Sequence, residues 1–347
     1  MKEPPIIAKI AKANLIGRGC NNFPTAKKWQ LVLHAKSKEK YVVCNVSESE
    51  PGVIKDHYIL VNWPERVIDG MRIAMNALKA KKGFIYLNPE YFEEFQERLE
   101  KFIKAAKVNI ELFQKPQHDY IGGEESAALN AMEGKRVEPR LKPPFPTTHG
   151  FKNQPTLINN CETFYAVSLI SKGEYKKMRF YSLTGDVKMQ EVMELPVNIT
   201  VEEALLKFGH KPSDKFFYQV GGGASGYCYN YKQLKRPFEG LAAIKVYDKK
   251  RAEKDFVLAW ANFFIKESCG QCVPCREGTY RLGSMLEQFY LAKKKYNEIA
   301  LMDLVFTLQQ TSFCPLGRVS ANALMSYWAN IKGKKVLVGA GEKCEVK

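Results

Sequence analysis

Glu267-Ser268-Cys269-Gly270-Gln271-Cys272-Val273-Pro274-Cys275-Arg276-Glu277-Gly278 carries three thiols, each separated from the next by two residues, and a fourth follows in Ser312-Phe313-Cys314-Pro315-Leu316-Gly317. Three cysteines this close cannot all pair as disulfides, but one tight loop can aim them at three corners of a cube. A fourth thiolate arriving from elsewhere then completes the shell that a [4Fe–4S] cluster needs. Zinc also accepts four cysteines, usually as two separated Cys-x-x-Cys knuckles, and structural thiols are a third reading. The pattern favours the cluster, with Cys269, Cys272, Cys275 and Cys314 as ligands, and therefore a protein that moves electrons.

Outward from this loop, helical periodicity dominates the last third of the chain, over 254–266, 276–294, 297–310 and 320–331. The cysteine loop falls between two of these helices, so a helical bundle is expected to carry the cluster. Upstream, strands are expected over 180–184, 187–193 and 216–220, around a helix at 201–208 capped by Thr200 with Glu203 three residues on, and the helical patterns begin after 242–246. The first half alternates: strands at 29–34 and 41–45, a helix at 67–80, a strand at 83–87, a helix at 89–105, a strand at 108–113 and a helix at 160–171. Such alternation predicts a doubly wound α/β layer. The fold class expected is therefore α/β followed by a small β-rich unit and a helical bundle, with domains at 1–172, 173–246 and 247–347.

The chain has 347 residues, 45% hydrophobic and 26% charged, as ordinary globular proteins do. No continuous apolar core marks an N-terminal signal, and the longest apolar run, near 256–265, is interrupted by Asn262 and too short to span a bilayer. Nine cysteines, four of them in a cluster pattern, point to a reducing, cytoplasmic setting, with Cys20, Cys44, Cys161, Cys228 and Cys344 as ordinary thiols. The net charge of +16 comes from scattered lysines without a nucleic-acid module. It suits solvated surface, or a basic face toward a dinucleotide or an acidic redox partner.

Several loops in the first half carry further chemistry. Gly17-Arg18-Gly19-Cys20-Asn21-Asn22-Phe23-Pro24-Thr25 is rich in residues that tolerate positive φ and close backbone approach, and reads as a plain turn or a phosphate cradle. Asn45-Val46-Ser47-Glu48-Ser49-Glu50-Pro51-Gly52 places two carboxylates on one side of an extended segment. Tyr120-Ile121-Gly122-Gly123-Glu124-Glu125 opens a helix, where free N–H groups suit phosphate or the carboxylates themselves. Arg140-Leu141-Lys142-Pro143-Pro144-Phe145-Pro146 holds an aromatic face on a stiff loop, and Asn159-Asn160-Cys161-Glu162-Thr163 supplies amides and a hydroxyl at a helix start.

In this order, and with the cysteine loop downstream, these segments resemble the NADH-binding flavoprotein subunit of respiratory complex I and its relatives in NAD-linked hydrogenases and formate dehydrogenases. The resemblance runs from about residue 7 to about residue 326. It implies a Rossmann-like FMN domain, a ubiquitin-like β-grasp insert and a helical cluster domain. It assigns FMN to Gly17, Arg18, Gly19, Lys28, Asn45, Glu48, Tyr120, Gly123, Glu124, Asn159, Asn160 and Thr163, and NADH to Phe23, Glu50, Glu125, Lys142 and Phe145. The implied activity is NADH oxidation through FMN to the [4Fe–4S] cluster and on to a thioredoxin-like [2Fe–2S] partner. A hydrogenase, formate dehydrogenase or complex I-type assembly would lie beyond, with membrane association only through that complex and no nucleic acid.

Cys20, Asn21, Asn22 and Ala26 stand where the family has small residues, and Ser47 where it usually has aspartate. These departures define the alternative reading, a cluster-bearing relay or scaffold subunit that has lost flavin and NADH. With the chain starting shortly before the Gly-Arg-Gly loop and no appended ferredoxin domain, work inside a complex is expected.

Overall fold

The computed structural model describes residues 3–19, 22–238, 240–335, 337–338 and 342–343. The chain divides into two compact units, Met1–Ser49 with Ile54–Tyr181 and Glu194–Val197, and Glu50–Val53 with Ser182–Met193 and Asn198–Lys347.

The first unit runs α1 (Pro5–Lys12), α2 (Thr25–His34), β1 (Tyr41–Val46), α3 (Lys55–Asn62), α4 (Pro64–Leu78), β2 (Lys82–Leu87), α5 (Pro89–Ala106), β3 (Ile110–Gln114), α6 (Glu125–Met132), β4 (Thr156–Asn160) and α7 (Cys161–Lys172). Its four strands form a parallel sheet in the order β3-β2-β1-β4. Val43 stands opposite both Phe84 in β2 and Ile158 in β4. The central strand is buried on both faces, which is why Tyr41-Val42-Val43-Cys44 reads as an unbroken apolar run. Helices α4 and α7 touch backbone to backbone: a Cβ on Gly70 would lie 1.9 Å from the Phe164 carbonyl oxygen, so only glycine fits there.

Residues 29–34, expected as a strand, form the end of helix α2. Trp29, Val32 and Leu33 are all buried, and their spacing of three and four puts them on one helical face. That packing outweighs the strand preference of the local composition. Helices α1 and α3 and strand β4 have no counterpart among the sequence expectations.

A five-stranded sheet follows in the order β6-β5-β9-β7-β8, built from β5 (Met178–Gly185), β6 (Glu191–Pro196), β7 (Phe216–Val220), β8 (Tyr227–Tyr229) and β9 (Ala243–Asp248). Ser182 pairs in parallel with Ala243, while β7 runs antiparallel to both β8 and β9. Helix α8 (Val201–Lys207) starts on a reciprocal cap: the Glu203 N–H donates to Thr200 Oγ1 at 3.2 Å and the Thr200 N–H to Glu203 Oε2 at 2.9 Å. The strand expected over 187–193 begins only at Glu191, because Gly185, with φ +92°, turns the chain and Val187 N–H closes on the Gly185 carbonyl.

Five helices complete the second unit: α9 (Glu253–Glu267), α10 (Val273–Tyr290), α11 (Glu298–Thr311), α12 (Pro315–Val319) and α13 (Asn322–Asn330). Helix α10 begins before the expected residue 276, because Pro274 in its first turn needs no hydrogen-bonded N–H. The helix expected at 320–331 is α13, and the short α12 before it has no counterpart among the sequence expectations. Trp260, Leu282, Leu286, Leu301, Leu308, Leu324 and Trp328 form the core with Phe217 and Tyr247 of the sheet, whose rings stack 4.8 Å apart. Among the described residues, no helix is long and apolar enough to cross a membrane.

Candidate functional site

In an open parallel sheet, ligands bind beyond the carboxyl ends of the strands, where strand order reverses. Here β1 has β2 on one side and β4 on the other, and the loops after β1 and β4 carry the polar residues singled out in the sequence. Asn45 Nδ2 donates to the Gly123 carbonyl at 2.8 Å, tying the β1 end to the turn before α6. Asn159 Oδ1 accepts from Trp29 Nε1 at 3.1 Å. Asn160 caps α7, accepting from the Glu162 N–H at 3.0 Å, and its amide donates to the Asn45 carbonyl at 3.3 Å. Thr163, fully buried, accepts from the Arg18 N–H at 3.0 Å and so anchors the Gly17–Gly19 loop. A Cβ on Gly19 would only just touch Asn160, at 4.0 Å.

Two predicted side chains have other occupations. The Arg18 guanidinium is buried, donating to Tyr175 Oη at 2.8 Å and lying 3.7 Å from Glu162. The Glu48 carboxylate accepts from the Asp56 N–H at 2.9 Å and from Tyr91 Oη at 2.9 Å, across the start of α3. Burial, followed by the neighbouring Asp56 carboxylate, pushes Glu48 up to about 7.

Sequence reasoning missed the charged pair beneath these loops. Lys55 and Asp56 are both buried; Lys55 Nζ lies 2.5 Å from Asp56, 2.8 Å from Asn160 Oδ1 and 3.4 Å from Glu162. Burial acts to lower the Lys55 pKa, but Asp56 and Glu162 outweigh it and hold the ammonium charged. Asp56 in turn accepts from the Asn160 amide at 2.7 Å. Asn160 is thereby fixed by four partners, and nothing in the local sequence marks Lys55 as interior.

At the start of α6, Glu124 caps the helix by accepting from the Ser126 and Ala127 N–H groups. Glu125 lies between Lys28 at 2.9 Å and Lys142 at 3.0 Å. Burial would raise its pKa, but the two ammonium groups overcome that and hold it at about 2. Lys142 also reaches Glu124 at 2.6 Å. Tyr120 lies half-buried just ahead of this helix, and Phe23 and Phe145 expose 39% and 52% of their surface, leaving ring faces available for stacking. Asn22 has φ +45°, the left-handed conformation that asparagine tolerates; Cys20 and Asn21 lie outside the described residues.

Glu50 belongs to the second unit. Its Oε1 accepts from the Ala224 and Ser225 N–H groups at 2.9 and 3.0 Å, while its buried Oε2 has no hydrogen-bond partner among the described residues. Gly222 permits this approach, since a Cβ there would lie 2.3 Å from Glu50 Oε1.

The four candidate cluster cysteines are buried or half-buried, none in a disulfide. Cys272 caps α10, Cys275 lies in its first turn and Cys314 caps α12. The Cys275 thiol, 3.4 Å from Ser268 Oγ, is pushed up to about 12, first by burial and further by the nearby Cys272, Cys314 and Cys269. Gly317 allows the close approach of α12, where a Cβ would come within 3.0 Å of Cys275 Cβ.

A family model described as the Nuo51 FMN-binding domain matches residues 10–169, and one described as the NADH-ubiquinone oxidoreductase-F iron–sulfur binding region matches residues 255–333. The F subunit of NADH-quinone oxidoreductase from Aquifex aeolicus is 33% identical, over 93% of this chain and 83% of its own. The chain belongs to this family. The alpha subunit of the NAD-reducing hydrogenase HoxS of Cupriavidus necator is also 33% identical, and this chain spans 59% of it. A crystal structure of NAD+-reducing [NiFe]-hydrogenase in the air-oxidized state superposes with a TM-score of 0.86 at 30% identity, over 94% of this chain and 61% of that one.

The residues present fit the cofactors of this family. Beyond the β1 and β4 ends, polar side chains and glycine backbone come together in a site suited to FMN, and among the described residues Asn22 Oδ1 and the buried Thr25 Oγ1 at the start of α2 have no hydrogen-bond partner. Gly123 leaves a cradle that a Cβ would crowd, 3.2 Å from the Ser47 carbonyl. The four thiols would supply the ligand set of a [4Fe–4S] cluster.

Proposed function

We propose that this chain is an NADH dehydrogenase (diaphorase) module of a larger redox complex. When bound, FMN accepts the two-electron hydride of NADH and delivers single electrons to the [4Fe–4S] cluster. One observation carries the reading: a single chain combines polar loops at the reversal point of a parallel sheet with four clustered thiols.

The protein needs no nucleophile for this chemistry; it binds and orients the rings. Gly17, Gly19, Lys28, Asn45, Tyr120, Gly123, Glu124, Asn159, Asn160 and Thr163 would hold FMN, with Arg18 contributing its backbone and Glu48 bracing the β1 loop. Phe23 and Phe145 would stack on NADH. Glu125, kept deprotonated by Lys28 and Lys142, would accept hydrogen bonds from ribose or amide groups, as would Glu50 through its unpartnered oxygen. Cys269, Cys272, Cys275 and Cys314 would ligate the cluster.

The division into domains at 1–172, 173–246 and 247–347, with a ubiquitin-like β-grasp unit in the middle, is supported by the order of parallel sheet, five-stranded sheet and helices along the chain. A cytoplasmic setting is supported by cysteines outside disulfides. The partner is a thioredoxin-like [2Fe–2S] subunit, consistent with relatives that are named as subunits of quinone oxidoreductases and hydrogenases.

The test is a visible spectrum of anaerobically purified protein, followed by NADH-driven reduction of an artificial acceptor. Bound flavin, cluster iron and NADH-dependent turnover sustain the reading. Flavin-free protein with a full cluster establishes a relay subunit instead.

A further inference from the structure

Lys115, one residue beyond β3, extends the β2–β3 ladder by donating its N–H to the Leu87 carbonyl at 2.8 Å. Its side chain is completely buried and crosses the end of β2, which lies between β1 and β3 in the sheet. The ammonium sits 2.9 Å from Asp119 Oδ1 and also bonds the Asp119 carbonyl oxygen. Its remaining reach goes to the β1 loop: Ser47 Oγ at 2.8 Å and Ser49 Oγ at 3.4 Å.

A lysine ammonium only donates, so the Ser47 oxygen must accept, and the serine hydrogen points away from Lys115. The surrounding glycines keep that arrangement compact. A Cβ on Gly122 would lie 2.6 Å from Lys115 Cε and 2.4 Å from Asp119 Oδ1, and one on Gly123 would lie 3.4 Å from Ser47 Oγ. Ser47 is half-buried, stands between Asn45 and Glu48 in sequence, and packs against Gly123, three residues assigned above to FMN.

We propose that Lys115 is a positioning residue that fixes Ser47 as a hydrogen-bond donor to the flavin and thereby favours the reduced flavin. The inference rests on the FMN reading of the site. Reduced flavin is more electron-rich than the oxidised ring, so a donor polarised by a buried ammonium binds it more tightly. Asp119 neutralises the lysine locally, so burying the cation leaves no unpaired charge.

The experiment measures the binding of oxidised and reduced FMN, by flavin fluorescence and anaerobic titration, and the two-electron midpoint potential, in the cluster-loaded chain. Ser47→Ala removes only the hydroxyl and leaves the Lys115–Asp119 pair intact. It is expected to lose about tenfold in binding of reduced relative to oxidised FMN, which is a potential lower by about 30 mV for a two-electron couple. Ser47→Thr keeps the hydroxyl and should keep the wild-type potential. Lys115→Met combined with Asp119→Asn should move the potential in the same direction as Ser47→Ala. FMN uptake with a potential unchanged in Ser47→Ala overturns this inference alone; wild-type chain that takes up no FMN overturns the reading of the site together with it.

Discussion

Glu125 is gripped by Lys28, with 2.9 Å between carboxylate and ammonium, on the far side from Lys142. This pairing fixes the sign of a pH effect. Glu125 has a folded pKa near 2, below the ordinary glutamate value, so the unfolded chain binds the more protons between the two. The stability it contributes is complete above about pH 4.5 and is lost as pH falls toward 2. Glu125→Gln should therefore narrow the difference between melting temperatures at pH 5 and pH 3, and should change the apparent KM for NADH. Equal pH dependence of melting in both proteins would refute the assignment.

Phe145→Ala should weaken NADH binding roughly three- to tenfold while leaving flavin content unchanged. An aromatic stack contributes about 0.5–1.5 kcal/mol beyond area burial. Rates at limiting NADH are the measurement; rates equal to wild type would remove Phe145 from the nucleotide site.

Cys272→Ser should remove most cluster iron and destabilise the α9–α13 helices, which would lose a covalent cross-link among their loops. Iron analysis and the spectrum of the reduced protein check this. Full iron content in the variant would mean that Cys272 is not a ligand.

Lys55→Met should destabilise the fold by about 3–5 kcal/mol, because Asp56 and Glu162 would remain buried without their shared cation. The loss should be read as a lower denaturation midpoint. A variant carrying Asp56→Asn as well should recover part of it. No change in the single variant would show that the buried lysine is not carrying charge.

The site divides by how local its signals are. The helix starts at Asn160 and Glu124 were legible, because capping is decided within a few residues, and the spacing of the cysteine loop is local in the same way. Lys55 was illegible for the opposite reason: what buries it are Asn160 and Glu162, more than a hundred positions away. The same holds for Lys115, whose partner Ser47 lies across the sheet, and for Glu48, which faces the start of α3. In the fold, the alternation of strand and helix pointed to the parallel sheet, whereas residues 29–34 misled because their strand-favouring side chains are used for helical packing.

Cys314 has a consequence for how the holoprotein is assembled. The loop at 269–275 is local and can present its thiols as soon as that stretch of chain has been made. Between that loop and Cys314 lie α10 and α11, packed closely enough that a Cβ on Gly278 would meet Leu308 Cδ2 at 2.7 Å. Bringing distant segments together carries a loop-closure entropy that the helix packing must first overcome. With Cys314 as the proposed fourth ligand, cluster insertion should follow helix pairing, and loosening the Gly278–Leu308 contact should lower iron incorporation during biosynthesis without altering any proposed ligand.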